Sequence, residues 1–361
     1  MTDPFSSSAD HVGIRTDDRA AAPAVSGSGS MSPADVSRTV EQIRAELAKV
    51  IVGQTDLVKS VLLALLAEGH VLLEGVPGLG KTMLLRTLAD AMEMPWSRIQ
   101  FTPDLMPADI TGTEVLHQGS DGSREFKYRS GPINANLVLA DEINRATPKT
   151  QSAMLEAMQE RAVTVAGETR ALPRPFLVMA TQNPVEMDGT YPLPEAQLDR
   201  FLMKILVPFP TAVELMGISE RTTGAVTSTA SAVCDAPTLQ EMIALTRRVP
   251  VPEHVTRYAV DLVVASHPDQ GTAPTDVRNY VRFGASPRGV QSLILTGKAN
   301  ALTEGRPNVS IEDIKAVAVG ALRHRLVLGY EATADGVSGD SLVDSVIHSV
   351  TPAGSGVRGA P

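Results

Sequence analysis

The chain has 361 residues, 43% hydrophobic and 20% charged, with a formal net charge of −9. That length allows two domains around an ordinary globular core, and the acidic balance argues against a basic surface that coats nucleic acid. Aromatics are only 4%, so Leu, Val, Ile, Ala and Met must build the core, and the single Cys234 excludes an internal disulfide or a cysteine-built zinc site and fits a reducing cytoplasm.

Residues 1–31 are rich in Ser, Ala, Gly and Asp without periodicity and read as a disordered tail. The opening MTDPFSSSADHVG lacks the basic start and apolar centre of a secretory leader. Order is expected from Ser32-Pro33, a helix cap followed by proline at the first helical position, with Val36, Val40, Ile43 and Leu47 on one face. Ile51 to Gln54 makes a tight connection, and a leucine-rich helix runs to about Glu68. The apolar stretch from Val61 to Val76 is broken by Glu68, His70 and Glu74, so no membrane span is expected.

His70 to Leu73 reads as a buried strand that leads into Gly75-Val76-Pro77-Gly78-Leu79-Gly80-Lys81-Thr82, the spacing G-x-x-x-x-G-K-[ST], and then into a helix over Met83 to Met92. Glycines at 75, 78 and 80 let the backbone curl so that its N–H groups face phosphate oxygens, and the helix aims its positive end at the same place. Lys81 supplies a charge for the β- and γ-phosphates, and Thr82 a hydroxyl for Mg²⁺.

Ser97 to Phe101 is the next candidate strand. A hairpin is expected from Thr113–Leu116 and Arg124–Tyr128 around the turn cluster Gly119–Gly122. Leu137 to Ala140 is a third core strand and ends at Asp141-Glu142. In parallel sheets ligands gather at the carboxyl ends of strands, which would bring this acidic pair beside the phosphate loop. Asp141 would then hold Mg²⁺ and Glu142 would polarise the attacking water. A helix over Pro148–Glu160 capped by Thr147, and a second hairpin, Ala162–Val165 with Thr169–Leu172, follow. Phe176 to Ala180 and Met203 to Val207 complete five core strands, and apolar strands separated by helices imply a parallel sheet covered on both faces.

Three polar residues have two readings each. Asn183, at the tip of the fourth strand, fits a γ-phosphate contact and an Asn-Pro turn equally well. Arg200 could meet transition-state charge, although a salt bridge with Asp199 or Glu195 is the simpler reading of the residues alone. Arg288 sits in the first turn behind the cap Ser286-Pro287, where the helix dipole opposes a cation unless an anion is near; an exposed arginine that tolerates its site is the alternative. From residue 211 only helices are expected, which places an α/β core over 32–210, a helical lid over 211–348 and a loose end over 349–361.

In this order the motifs resemble the MoxR family of AAA+ ATPases over about residues 36–332. The most specific pieces are GVPGLGKT at Gly75, RIQFTPDLMPADITG at Arg98, LADEINRATPKTQSAMLEAMQE at Leu139, ATQNP at Ala180, GTYPLPEAQLDRF at Gly189 and VRNYVRFGASPRG at Val277. The resemblance implies an αβα sandwich with hairpin insertions and a C-terminal all-helical lid, an ATPase with ATP and Mg²⁺ as cofactors, and a cytoplasmic ring, usually a hexamer. Family members remodel or mature other proteins in a chaperone-like way, often beside a partner with a von Willebrand factor A domain. By the same resemblance Val52, Gly53 and Gln54 lie near adenine, and Val76, Pro77, Leu79 and Met83 join the glycines, Lys81 and Thr82 around the nucleotide. Asn183 senses the γ-phosphate, Arg200 is a finger into a neighbouring subunit and Arg288 the lid arginine. Magnesium-chelatase motor subunits share this core and are one alternative; a nucleic-acid-directed motor is another, against which the acidic balance weighs, and a nucleotide-switched scaffold has no need of both Glu142 and Arg200. No N-K-x-D motif for guanine is present. One departure is Asn134, where an apolar residue, commonly Phe, is expected.

Overall fold

The computed structural model of the chain describes residues 31–118, 123–184, 189–224 and 228–352. The tail, the Gly119–Gly122 turn and the last residues, on which three of the expectations fall, lie outside the described residues. Helix α1 (Pro33–Val50) starts where Ser32 and Asp35 cap each other reciprocally, and it buries Val36, Val40, Ile43 and Leu47. Helix α2 (Thr55–Leu66) follows Gln54, which takes a left-handed conformation to make the tight connection.

Strand β1 (Val71–Glu74) feeds helix α3 (Lys81–Ala91), and β2 (Trp96–Gln100) leads through the short α4 (Pro107–Thr111) into a hairpin, β3 (Gly112–Gln118) with β4 (Arg124–Ser130). Strand β5 (Leu137–Asp141) precedes α5 (Pro148–Glu160), and a second hairpin pairs β6 (Ala162–Val165) with β7 (Glu168–Ala171). Ala166 and Gly167, both at positive φ, make its two-residue turn. Strand β8 (Leu177–Gln182), the short α6 (Glu195–Leu198) and β9 (Met203–Leu206) complete this half. Thr147 stands at the cap position of α5, yet its side chain does not cap the helix; it lies 3.3 Å from the Thr150 hydroxyl.

The five core strands form one parallel sheet in the order β2-β5-β8-β1-β9. Alternation explains why it is covered twice. Val71 and Leu73, Leu139 and Met179 face a core shared with α1, α2 and α3, while Leu72, Val138, Ala140 and Val178 face a second core with α5. The strand that carries the phosphate loop is therefore flanked by β8 and β9, and β8 separates it from the strand that ends in Asp141. Asn134 is exposed between buried Ile133 and Ala135, so a polar residue costs nothing there.

From residue 211 helices dominate: α7 (Ala212–Thr223), α8 (Ala236–Arg248), α9 (Glu253–Ala265), α10 (Thr275–Tyr280), α11 (Pro287–Thr303), α12 (Ile311–Leu322), α13 (Tyr330–Ala334) and α14 (Gly339–Ser349). The expectation of helices alone needs one correction. A short antiparallel pair, β10 (Val281–Phe283) with β11 (Val327–Leu328), joins the segments after α10 and after α12. Its strands have three and two residues, too few for a period-two pattern to stand out. No helix among the described residues is long and apolar enough to cross a membrane.

His70, at the head of β1, is fully buried and ties three elements together. Its Nδ1 accepts the Val178 N–H at 3.0 Å, so Nε2 carries the proton and donates to the Met158 carbonyl at 2.9 Å. Burial holds its pKa down at about 4, against an ordinary value of 6.5. A second proton would also turn the Nδ1 acceptor against an N–H donor. Because the unfolded chain takes up this proton first, the stability contributed by neutral His70 is complete above pH 6.5 and is lost as pH falls towards 4, by about 3 kcal/mol in all. Urea unfolding of the native chain and of a His70→Gln variant between pH 7.5 and 5 checks this. The native chain should lose stability more steeply on acidification, and parallel slopes would refute it.

Candidate active site

The phosphate loop leaves the carboxyl end of β1, and its geometry follows from its glycines. A Cβ on Gly75 would stand 2.9 Å from the Val207 carbonyl oxygen, so packing against the exit of β9 keeps that position bare. Gly78 and Gly80 have φ of 83° and 75°, a left-handed region that strains any side-chain-bearing residue. Gly80 caps α3, whose first residues are Lys81 and Thr82. The Lys81 ammonium donates to the Gly75 carbonyl at 2.6 Å, folding its side chain back over the loop. Partial burial pulls its pKa below the ordinary lysine value, against the opposing pull of Asp141, Glu142 and Glu74.

Lys81, Thr82, Asp141, Glu142 and Asn183 all line one cavity of about 540 Å³ with the loop as its floor. The convergence comes from sheet order: β1, β8 and β5 are neighbours and parallel, so their carboxyl ends open on one side. The carboxylates are held from outside. Arg98 Nη2 lies 2.6 Å and Nε 3.1 Å from Asp141 Oδ2, while Thr181 Oγ donates to Asp141 Oδ1 at 2.7 Å. Thr181 Oγ in turn accepts the Glu142 N–H at 2.8 Å. Glu142 takes φ of 58°, which turns its side chain away from the strand direction, and its Oε2 accepts from Gln100 at 2.8 Å and Arg145 at 3.0 Å.

Three of these holders lie inside the RIQF and ATQNP motifs, but the sequence alone assigns them no role. Thr181 is buried to 1% exposure beneath the carboxylates, and Arg98 and Gln100 sit on β2, which neighbours β5 in the sheet. Their signal was present, since Arg98 and Gln100 alternate on a strand and so share a face, but no spacing rule says that β2 pairs with β5.

A second, apolar cavity of about 280 Å³ shares the wall Pro77–Gly80 and Met83 with the first. Val52 and Gln54 line it with Phe209, Leu215 and Ile218, and the Gln54 amide donates to the Leu79 carbonyl at 3.1 Å. Of the residues expected around a nucleotide, Gly53 lies elsewhere, in a hollow beside α1, and Val76 lines neither cavity. A polar chamber with an ammonium, loop N–H groups and oxygen ligands, joined to an apolar slot, fits a triphosphate bearing a base. Thr82 and Asp141 offer the hard oxygen donors that Mg²⁺ prefers.

Arg200 and Arg288 do not line this cavity. Both line another, of about 200 Å³, with Gly69 and His70 at the opposite end of β1. The four residues of β1 lie between His70 and Gly75, an extended span of roughly 17 Å, so neither guanidinium reaches the phosphate loop of its own chain. Asp199 pairs with Arg325, and neither Asp199 nor Glu195 forms an ion pair with Arg200 among the described residues. No ion pair of Arg200 or Arg288 occurs among the described residues. The hollow holds Arg161, Arg200, Arg247, Arg288 and Arg325 against only Glu68 and Asp199, a positive concavity on a chain of net charge −9.

The chain is similar to known proteins over most of its length. Residues 70–203 match the family described as "ATPase family associated with various cellular activities (AAA)", and residues 273–346 match the AAA lid domain. The chain is 45% identical over 318 residues to the chaperone MoxR1 of Mycobacterium tuberculosis, covering 86% of this chain and 82% of that protein. It is 32% identical over 300 residues to protein MoxR of Paracoccus denitrificans, covering 79% and 87%. A crystal structure of a protein from Cytophaga hutchinsonii, proposed to be an ATPase, superposes with a TM-score of 0.83 at 38% identity, covering 89% of this chain and 97% of that one.

Proposed function

The chain belongs to the MoxR family of AAA+ ATPases, and we propose that it hydrolyses Mg-ATP at a site completed by a neighbouring copy in a ring, and uses the turnover to remodel or mature partner proteins. The observation that carries the reading is the convergence of Lys81, Thr82, Asp141, Glu142 and Asn183 on one cavity. The loop N–H groups and Lys81 hold the phosphates, and the apolar slot takes the adenine. Thr82 and Asp141 would hold Mg²⁺, which would supply positive charge to the phosphates when bound. Glu142 orients the attacking water and accepts its proton, and Asn183 fixes the γ-phosphate from the neighbouring strand. Arg200 and Arg288, too far from the loop of their own chain, present their charge to the triphosphate of the next. The mycobacterial relative is a chaperone, which supports protein remodelling as the purpose of turnover; a hexamer, a cytoplasmic site and a von Willebrand factor A partner belong to the same reading.

Phosphate release per chain, measured over protein concentrations from nanomolar to micromolar, tests the reading. Activity per chain should rise with concentration as copies associate and then level off. A flat profile would place the whole site in one chain, and no release at any concentration would remove the ATPase assignment.

A further inference from the structure

Arg200 and Arg288 come from stretches far apart in sequence, and something must fix their relative position if they are to act on one ligand. The carboxylate of Asp199 lies between the two elements that carry them. Its Oδ2 accepts from the Ser286 hydroxyl at 2.8 Å, and Ser286 is the cap of α11, receiving the Arg288 N–H at 3.1 Å. Its Oδ1 accepts from Arg325 Nε at 2.9 Å. Arg325 follows the end of α12, and its side chain is 2% exposed. Its Nη groups meet the main-chain carbonyls of Asp199 at 3.1 Å, Phe201 at 2.7 Å, Leu202 at 3.3 Å and Ala321, and Nη1 also lies 2.8 Å from His324 Nε2. One buried guanidinium thus clamps the backbone on both sides of Arg200, and one carboxylate joins that clamp to the first turn of α11.

We propose that Asp199 is a positioning residue, which couples the loop bearing Arg200 to the helix turn bearing Arg288 so that the two guanidiniums meet a neighbour's triphosphate as one unit. This rests on the proposal that Arg200 acts across a subunit boundary. Asp199 also stands against the repulsion between Arg325 and Arg288; burial and the nearby Arg288 already draw the Arg325 pKa down to about 10. A carboxylate has the two acceptor oxygens needed to serve Arg325 and Ser286 at once. Small displacements of a catalytic group cost orders of magnitude in rate, so loss of this bridge should act on turnover through the arginines.

Mixed assemblies test it. A chain with Arg200→Ala keeps its own nucleotide site, and a chain with Lys81→Ala keeps its arginines, so mixing the two should restore turnover. Adding Asp199→Asn to the Lys81→Ala donor should cut the restored kcat at least about tenfold, whereas adding it to the Arg200→Ala recipient should leave kcat and KM for ATP within about twofold. Undiminished restoration by the altered donor would overturn the positioning role and leave the trans arginine standing. Equal loss from either placement would make Asp199 a general structural residue and also overturn the role. No restoration even from the unaltered donor would remove the trans reading and this proposal with it. If Asp199→Asn chains fail to fold, as thermal melts would reveal, Ser286 carries the same test: Ser286→Thr in the donor should retain restoration and Ser286→Ala should lower it, and equal restoration by the two would overturn the proposal.

Discussion

Replacing Glu142 by Gln should leave ATP binding within a few-fold of the native chain and lower turnover by about 10²–10⁴. The substitution is nearly isosteric, and the backbone at residue 142, with φ of 58°, asks no more of Gln than of Glu. The amide can still face Gln100 and Arg145 through its oxygen, so the outer hydrogen bonds that hold the side chain survive. What disappears is the capacity to accept a proton from water. Neither Lys81 nor the loop N–H groups depend on Glu142 for position, so the phosphates keep their holders. Calorimetric titration with ATP beside a phosphate-release assay separates the outcomes. Lost binding with the loop intact would assign Glu142 to the metal or the nucleotide instead of the water.

The other large effect is expected at Arg200. Its replacement by Ala should lower kcat by about 10³–10⁵, the range known for arginines that meet phosphoryl-transfer charge, with the affinity for ATP little changed. Structural damage should be slight, because Arg200 holds no ion pair among the described residues, while the neighbouring Asp199 spends its carboxylate on Arg325 and Ser286. Phosphate release by Arg200→Ala alone and mixed with Lys81→Ala chains gives the decisive reading. Full activity of Arg200→Ala by itself would show that its charge has no part in the reaction.

Much of this site could be read from residue order. The loop from Gly75 to Thr82 has a spacing dictated by phosphate geometry, and the acidic pair Asp141-Glu142 follows an uninterrupted apolar strand. Both signals are local, and the rule that ligands gather at strand ends joins them. The core strands were legible for the same reason: Leu137 to Ala140 and Leu177 to Ala180 are buried on both faces, so their sequences are apolar without a break. What stayed hidden depends on partners far away in the chain. Nothing near Asp199 announces that its counter-charge is Arg325, and nothing near Arg288 reveals that its helix opens beside Gly69 and His70 and not beside Gly75. The Val281–Phe283 strand escaped because its pairing with Val327–Leu328, not its composition, makes it a strand.

If the arginines serve a neighbouring copy as proposed, the separation of the loop and the arginines along β1 sets how copies stack. A site shared in this way needs unlike faces in contact, the mouth of one chain against the back of the next, and a twofold dimer, which joins like faces, cannot supply it. An open arc of copies would always carry one idle mouth and one idle set of arginines at its two tips. Only closure of the arc puts every copy to work, so a rise in activity with assembly would keep its steepest step for the arrival of the last copy.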